Sequence, residues 1–398
     1  MNIIFLISQP FNSFFENRMQ LIRLADEGFS IKVFDLSFFM MRNVVRTSYS
    51  CSDKRVSVIE IKTRKSLLLI LEKYKRKAVV IDYANQDTLI RHMINKLNIK
   101  IIRFQCGGIP TRATTTVSTD GVVKNNLFFD ALLQFANIKK IFSINAFHVL
   151  KRKLFLRVYK PYIDIFILSG EALLINEQVF INESTKVIKA HNYDFDKFKS
   201  IESNIEHCTD DLIFIDQMIT SHPDLTIKNI KYINPKKYYE RLRYFFDKVE
   251  DVTGFNVVIA LHPRNTFYKD SLDYGGKKVF YGNTAELVKN SRGIITHNSN
   301  SVNFAILFEK PILFLADEDL LSMMPELKVI HKWFNQKPIM IDREVNSRDI
   351  LSNMQFDEDI RETYKKNFII CNYNNQDMSL IDMLIVELHS LSNLSKND

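Results

Sequence analysis

The sequence predicts an α/β protein built as two Rossmann-like domains, each a parallel sheet with helices on both faces. Three observations lead there. Short β-branched runs alternate with amphipathic stretches from end to end, which is the rhythm of βαβ units. The 398 residues suffice for two or three domains of ordinary size, each with its own core. Hydrophobic residues make up 46% and charged residues 25%, which excludes long disorder, and only 10 Gly and 9 Pro leave little material for flexible linkers.

Asn2 to Ile7 is the first strand. Phe14 to Glu27 reads as one helix, because Met19, Leu21, Ile22 and Leu24 recur at helical spacing and Gly28 stops it. Ile31 to Leu36 is the next strand. The unit recurs as the strand Ala78 to Asp82, the helix Asp87 to Leu97 and the strand Lys100 to Phe104, after which Gly107, Gly108 and Pro110 force a loop. Ile163 to Leu168 and Thr185 to Ile188 complete this half, followed by a loop from His191 to Phe198. The polar run from Lys199 to Asp211 breaks the rhythm and marks the crossing, so residues 1–200 form the first domain and 201–375 the second.

The second domain opens with the strand Leu212 to Asp216, a loop holding His222 and Pro223, a helix from Pro235 to Val252 and the strand Phe255 to Leu261. Gly293 to Thr296 is a strand, Ser301 to Phe308 a helix and Pro311 to Leu315 another strand. The last amphipathic stretch, Met378 to Leu391 within residues 376–398, is long enough to pack back on the first domain.

Net charge is +8, which favours an anionic partner: a nucleotide, a nucleic acid or an acidic membrane surface. No recognised nucleic-acid-binding module occurs. Cys51, Cys106, Cys208 and Cys371 stand far apart with no CxxC pair, so a reduced compartment, the cytoplasm, is expected. The N-terminal MNIIFLISQP lacks a basic n-region and a cleavage site, and no apolar run reaches the length of a spanning helix. Membrane contact is then peripheral.

The most informative segment is VVIALHPRN, residues 257–265. A strand ending in His262, Pro263 and Arg264 puts an imidazole and a guanidinium at the carboxyl edge of a parallel sheet, where open α/β folds bind ligands. Both suit a phosphate; a capped strand end with a solvated Arg is the plainer reading. The second segment, residues 293–316, runs from a strand through a polar turn, His297 to Ser301, into a helix and then Lys310 and Pro311. One of Asn298, Ser299 and Ser301 caps that helix, and the others are left to meet an anion at its positive end. Between these segments Thr284 is a plausible N-cap, and Glu286 either sits in a first helical turn or accepts from ribose hydroxyls.

A His-Pro strand end followed, about 35 residues on, by a strand, a Ser-rich turn, a helix and a Lys-Pro-Ile strand resembles the nucleotide-binding domain of GT-B glycosyltransferases. More narrowly, it is similar to the bacterial enzymes that transfer sialic acid, polysialic acid, Kdo or related nonulosonic acids from CMP-sugars in capsule and lipopolysaccharide synthesis. The resemblance covers roughly residues 255 to 316. It implies a GT-B fold, with two Rossmann-like domains facing a central cleft, and contacts from His262, Ser299 and Ser301 to cytidine monophosphate. Those sialyltransferases also carry an acidic-acidic-Gly motif that supplies the general base. Asp26, Glu27 and Gly28 match it literally, but they close the first helix, at the end facing away from the cleft; Asp120 with Gly121 keeps one carboxylate. Glycerol-phosphate polymerases share a similar His-Pro segment, which implies a CDP-alcohol as the rival donor.

An inverting transfer needs a group to take the acceptor's proton on the side opposite the leaving phosphate. Glu16, in the loop after the first strand with Arg18 two residues on, is the first candidate; Asp82, at a strand end, and Asp130 are its rivals. Asp216 and Gln217 end a strand facing the cleft. Asp194 and Asp196 share a face only in an extended loop and lack a third acid, so no metal site is expected, and His222 is structural or acceptor-facing. The basic stretches at residues 73–77 and 151–157 are either solvated helix faces or a membrane-surface patch. The expected function is therefore a metal-independent, inverting transfer from a CMP-sugar to a lipid-linked or oligosaccharide acceptor, with no cofactor besides the donor. The alternatives are a UDP- or GDP-sugar donor, a CDP-alcohol phosphotransferase, and a non-catalytic glycan- or nucleotide-binding subunit.

Overall fold

The computed structural model describes residues 1–41, 49–84, 87–111, 114, 156–202, 208–221, 233–262, 273–324, 326–371 and 377–397. Their strands form two sheets in which every strand pairing is parallel. The first contains β1 (Asn2–Ile7), β2 (Ser30–Asp35), β3 (Val56–Glu60), β4 (Ala78–Tyr83), β5 (Lys100–Gln105), β6 (Ile165–Leu168) and β7 (Lys186–Lys189), in the order β3-β2-β1-β4-β5-β6-β7. The second contains β8 (Asp211–Ile215), β9 (Asn256–Leu261), β10 (Lys278–Tyr281), β11 (Gly293–Thr296), β12 (Ile312–Ala316) and β13 (Ile339–Met340), in the order β10-β9-β8-β11-β12-β13. Both follow the Rossmann order, so the chain direction across the sheet reverses beside β1 and beside β8. Two such domains facing one cleft are the GT-B architecture.

The central strands are covered on both faces, which is why β1 and β4 read as continuous apolar runs. Edge strands β3 (VSVIE) and β10 (KVFY) are short and half-exposed. Their apolar runs are too short, at two or three residues, to stand out, and the sequence pattern does not reveal them.

The expected helix from Phe14 to Glu27 is two helices, α1 (Ser13–Arg18) and α2 (Leu21–Asp26), separated at Gln20, whose φ of 45° is left-handed. Met19 and Leu21 are both buried. On one straight helix they would point about 200° apart, so the break lets both enter the core. Asp87 caps α3 (Thr88–Lys96).

The expected loop from His191 to Phe198 is instead the start of α4 (Tyr193–Glu202), with Asn192 accepting the Phe195 N–H at 2.9 Å as a helix cap does. In the second half, α5 (Pro235–Thr253) begins at the cap Asn234 and ends at Gly254, whose φ is 72°. The short helices α6 (Thr284–Asn290) and α7 (Val302–Leu307) follow. The last helix, α8 (Leu380–Asn397), sets Leu380, Leu384 and Leu388 on one stripe at four-residue spacing, against the same core as Ile3, Phe5 and Ile102 of the first sheet. Two chain segments, residues 190–192 and 369–371, are tied together: Asn192 N–H donates to the Ile369 carbonyl and Cys371 N–H to the Ala190 carbonyl, each at 2.8 Å. Among the described residues no helix is long and apolar enough to cross a membrane.

Candidate active site

A cavity of about 960 Å³ lies where the carboxyl ends of both sheets meet. Ser8 and Gln9 after β1, Tyr83 ending β4, and Phe104, Gln105 and Gly107 at and after the end of β5 line it from one side. His262 after β9, Tyr281 ending β10 and Asn300 in the turn after β11 line it from the other. This is the crevice that the strand-order reversal creates in each sheet.

Two consecutive residues after the central strand β8 position the second wall. Asp216 accepts the Met218 N–H at 2.9 Å and reaches sideways to the His262 N–H at 3.3 Å, fixing the end of β9. Gln217 reaches the other way: its side-chain oxygen accepts the N–H groups of His297 at 3.1 Å and Asn298 at 2.8 Å, and its amide donates to the Asn298 carbonyl. Asp216 and Gln217 thus act on the backbone of the strand ends flanking β8. In the turn itself, Ser299 Oγ accepts the Ser301 N–H at 3.2 Å, and Ser301 stands at the start of α7. Asn298 is partly buried, and its side-chain oxygen Oδ1 is buried without a hydrogen-bond partner.

His297, the first residue of the turn, points into the core. Its Nδ1–H donates to the Leu315 carbonyl at 2.8 Å, so the Nε2 at 2.9 Å accepts from the Tyr238 hydroxyl, and the ring is neutral. Burial pushes it down to about 4.

On the first wall, the Arg18 guanidinium sits over the Tyr193 ring at 4.1 Å and near Phe14 at 5.6 Å. A Cβ on Gly107 would come within 3.5 Å of its Nη2, and Gly107 takes a φ of 150° that favours glycine. Tyr193 is held by a 2.5 Å hydroxyl contact with Tyr83, and both rings stack near Phe104. Arg18 makes no ion pair or hydrogen bond among the described residues, whereas Arg23, Arg55, Arg64, Arg91 and Arg103 all pair with carboxylates. No carboxylate lines this cavity among the described residues.

The first candidate base, Glu16, and its rival Asp82 both lie outside the cavity lining. Glu16 is on the side of α1 away from the cavity, buried, and accepts from the Tyr49 hydroxyl at 2.8 Å and from Ser52. Burial raises its pKa, but hydrogen bonds from Ser52 and Tyr49 outweigh that and hold the carboxyl below the ordinary glutamate value. It is a clasp between α1 and residues 49–52. Asp82 is also buried, bonded to Arg91 Nε at 2.7 Å and the Ala84 N–H at 2.8 Å. Burial opposes its charge, and Arg91 and Arg103 more than offset this, keeping it ionised. Glu177 completes the network with Arg91 at 2.7 Å and Arg103 at 3.0 Å, so Asp82 has no free face toward a substrate.

Two assignments near α6 also change. Asn283 occupies the N-cap position and Thr284 the first helical turn, neither lining the cavity. Glu286 pairs with Lys197 of α4 at 2.5 Å, so its carboxylate serves a contact between helices. Asp194 and Asp196 do not share a ligand: Asp194 accepts from Asn303 at 2.7 Å, and Asp196 accepts from the Leu380 N–H at 3.1 Å and contacts His191 at 2.7 Å. Asp26 pairs with Arg55 and Glu27 with His389, on the surface. Arg264, Asp120, Asp130 and His222 lie outside the described residues. Among the described residues no three His, Cys, Asp or Glu converge as a metal site.

Tyr281, Asn300, Tyr83 and Tyr193 are lining residues that sequence reasoning did not single out. The signal available for the first three was position just at or after a strand end; for Tyr193 it was the helix start at Asn192. The site's chemistry suits an anion: the Arg18 guanidinium, to which no described carboxylate bonds, and hydrogen-bonding side chains are set in aromatic walls.

No protein-family model matches the chain, and no curated protein does. Among solved structures the chain is similar to the glycosyltransferase of kitacinnamycin (8% identity, 98% of each chain covered, TM-score 0.49). It is also similar to apo UGT2 of Phytolacca americana (11% identity, 98% of this chain and 99% of that one, TM-score 0.48). A third is the UDP-GlcNAc 2-epimerase of Methanocaldococcus jannaschii (13% identity, 98% of this chain and 100% of that one, TM-score 0.47).

Proposed function

We propose that the protein is a glycosyltransferase that moves a sugar from a CMP-activated donor, a nonulosonic acid such as sialic, pseudaminic or legionaminic acid, or Kdo, to a surface-glycan acceptor. One observation carries the reading: His262, at the carboxyl edge of the second sheet, lines a cavity between the two sheets that no described carboxylate enters. A donor whose leaving group is an anionic phosphate fits such a wall, and the His-Pro strand end supports cytidine monophosphate in that role.

The donor's phosphate lies against His262, with Asn300 and Tyr281 beside it, and the sugar projects toward the first domain. In an inverting displacement, the bond from the anomeric carbon to the phosphate oxygen breaks as the acceptor oxygen attacks from the opposite face, its proton passing to solvent water as the new bond forms. The imidazole of His262 donates to the phosphate oxygen on which charge develops. Its backbone is already fixed by Asp216 at 3.3 Å, so little reorganisation accompanies the reaction. Protein groups supply this charge stabilisation, and chelators are expected to leave the rate unchanged. A lipid-linked acceptor would place the reaction at the inner face of the cytoplasmic membrane.

The test is a screen for released nucleotide across CMP-, UDP- and GDP-sugars and CDP-glycerol. Release of CMP from a CMP-sugar supports the proposal. Turnover of only UDP- or GDP-sugars replaces the donor, turnover of CDP-glycerol makes the protein a phosphotransferase, and nucleotide binding without any turnover makes it a non-catalytic binding subunit.

A further inference from the structure

A second cavity of about 530 Å³ adjoins the first. The two share Phe14, Arg18, Met19, Phe104 and Tyr193 as a common wall. The rest of the second cavity is built by Asn17 of α1 and Gln20 after it, by Ser200 and its neighbours on α4, and by Leu380, Ile381 and Leu384 of α8. Its interior mixes aromatic and aliphatic faces with side-chain amides and a hydroxyl. Phe14 stands 62% exposed among its lining residues.

Resting on the glycosyl-transfer reading, we propose that this side cavity is the acceptor subsite, and that it takes a sugar unit carrying an anionic group, a carboxylate or a phosphate, which Arg18 binds. Placement argues for the acceptor: the walls of the side cavity come from α1, α4 and α8, and none from the second domain's sheet, where the donor phosphate sits. Rings and amides together suit a sugar, whose apolar face stacks while its hydroxyls hydrogen-bond.

Charge then selects the anion. The Arg18 guanidinium is held against Tyr193, so its fork is preorganised; among the described residues no carboxylate bonds to it, and Asp194, which acts on it through space, is buried and bonded to Asn303. Among the described lining residues Asp196 is the only carboxylate, and both its oxygens are engaged, by His191 and by the Leu380 N–H. Lys197, also on this wall, is paired with Glu286. Arg18 is therefore the cation available to an incoming anion, and it sits on the boundary an acceptor must cross to present its hydroxyl to the donor.

The experiment is calorimetric titration of methyl glucuronide, glucose 6-phosphate and neutral methyl glucoside, with CMP titrated in parallel, into the full chain and the variants Arg18→Gln, Arg18→Lys and Ser200→Trp. The wild type is expected to bind at least one acidic probe about tenfold or more tighter than methyl glucoside; which acid binds distinguishes carboxylate from phosphate. Arg18→Gln removes that preference and Arg18→Lys keeps part of it. Ser200→Trp, which fills the cavity, weakens all three sugars, while CMP affinity stays within about twofold throughout. Equal binding of acidic and neutral probes, no binding of any of them, or a preference that survives Arg18→Gln overturns the proposal. So does a loss of CMP affinity in Arg18→Gln, which would assign the arginine to the donor. These titrations use no turnover, so they can fail while the released-nucleotide screen succeeds, and the reverse.

Discussion

The side-chain oxygen of Gln217 accepts the backbone N–H of Asn298 at 2.8 Å, linking the end of β8 to the turn after β11. The same oxygen takes the His297 N–H, so one side chain shapes the turn that presents Asn300 to the cavity. Gln217→Leu leaves both N–H groups without their acceptor and is expected to cost about 1–3 kcal/mol in urea denaturation. Gln217→Glu, which keeps the accepting oxygen, should lose less; equal losses would contradict the assigned role.

Stability should fall in mild acid. Burial pushes His297 and His331 each down to about 4, His331 being further disfavoured by its neighbour His297. In the unfolded chain they take up protons near pH 6.5, while the folded state resists until about pH 4, so stability is full above 6.5 and drains as pH falls toward 4. The loss is on the order of 3 kcal/mol for His297 and less than twice that for the pair. Denaturation midpoints at pH 7.5 and 5.0 check this. His331→Leu should shrink the difference between them, and a pH-independent midpoint in the wild type would refute the account.

Glu16 and Asp82 separate structure from chemistry. Asp82→Asn leaves Arg91 and Arg103 undercompensated in a buried network and should cost about 3–5 kcal/mol of stability. Glu16→Gln removes a clasp outside the cavity, so donor KM and kcat should stay within a few-fold of wild type. A collapse of kcat with unchanged stability in Glu16→Gln would return that residue to catalysis.

Much of the fold is legible because central parallel strands must be apolar throughout. β1, β4, β9 and β12 announce themselves, whereas β3 and β10 are edge strands with apolar runs of only two or three residues. Local rules also cannot show that burying both Met19 and Leu21 requires a break at Gln20. The site divides in the same way. His262 follows from its place at a strand end. Which side of α1 meets the cleft depends on long-range packing, so Glu16 and Arg18, two residues apart, end in different places. Asp82 looks like a cleft carboxylate until Arg103 and Glu177, distant in sequence, are seen to enclose it.

The most direct measurement is calorimetric titration of CMP into the wild type and His262→Ala. The account predicts saturable one-to-one binding in the wild type and an affinity at least tenfold weaker in the variant, whose fold is checked by its unchanged denaturation midpoint. Undiminished CMP binding in His262→Ala, or no nucleotide binding by the wild type, would contradict it.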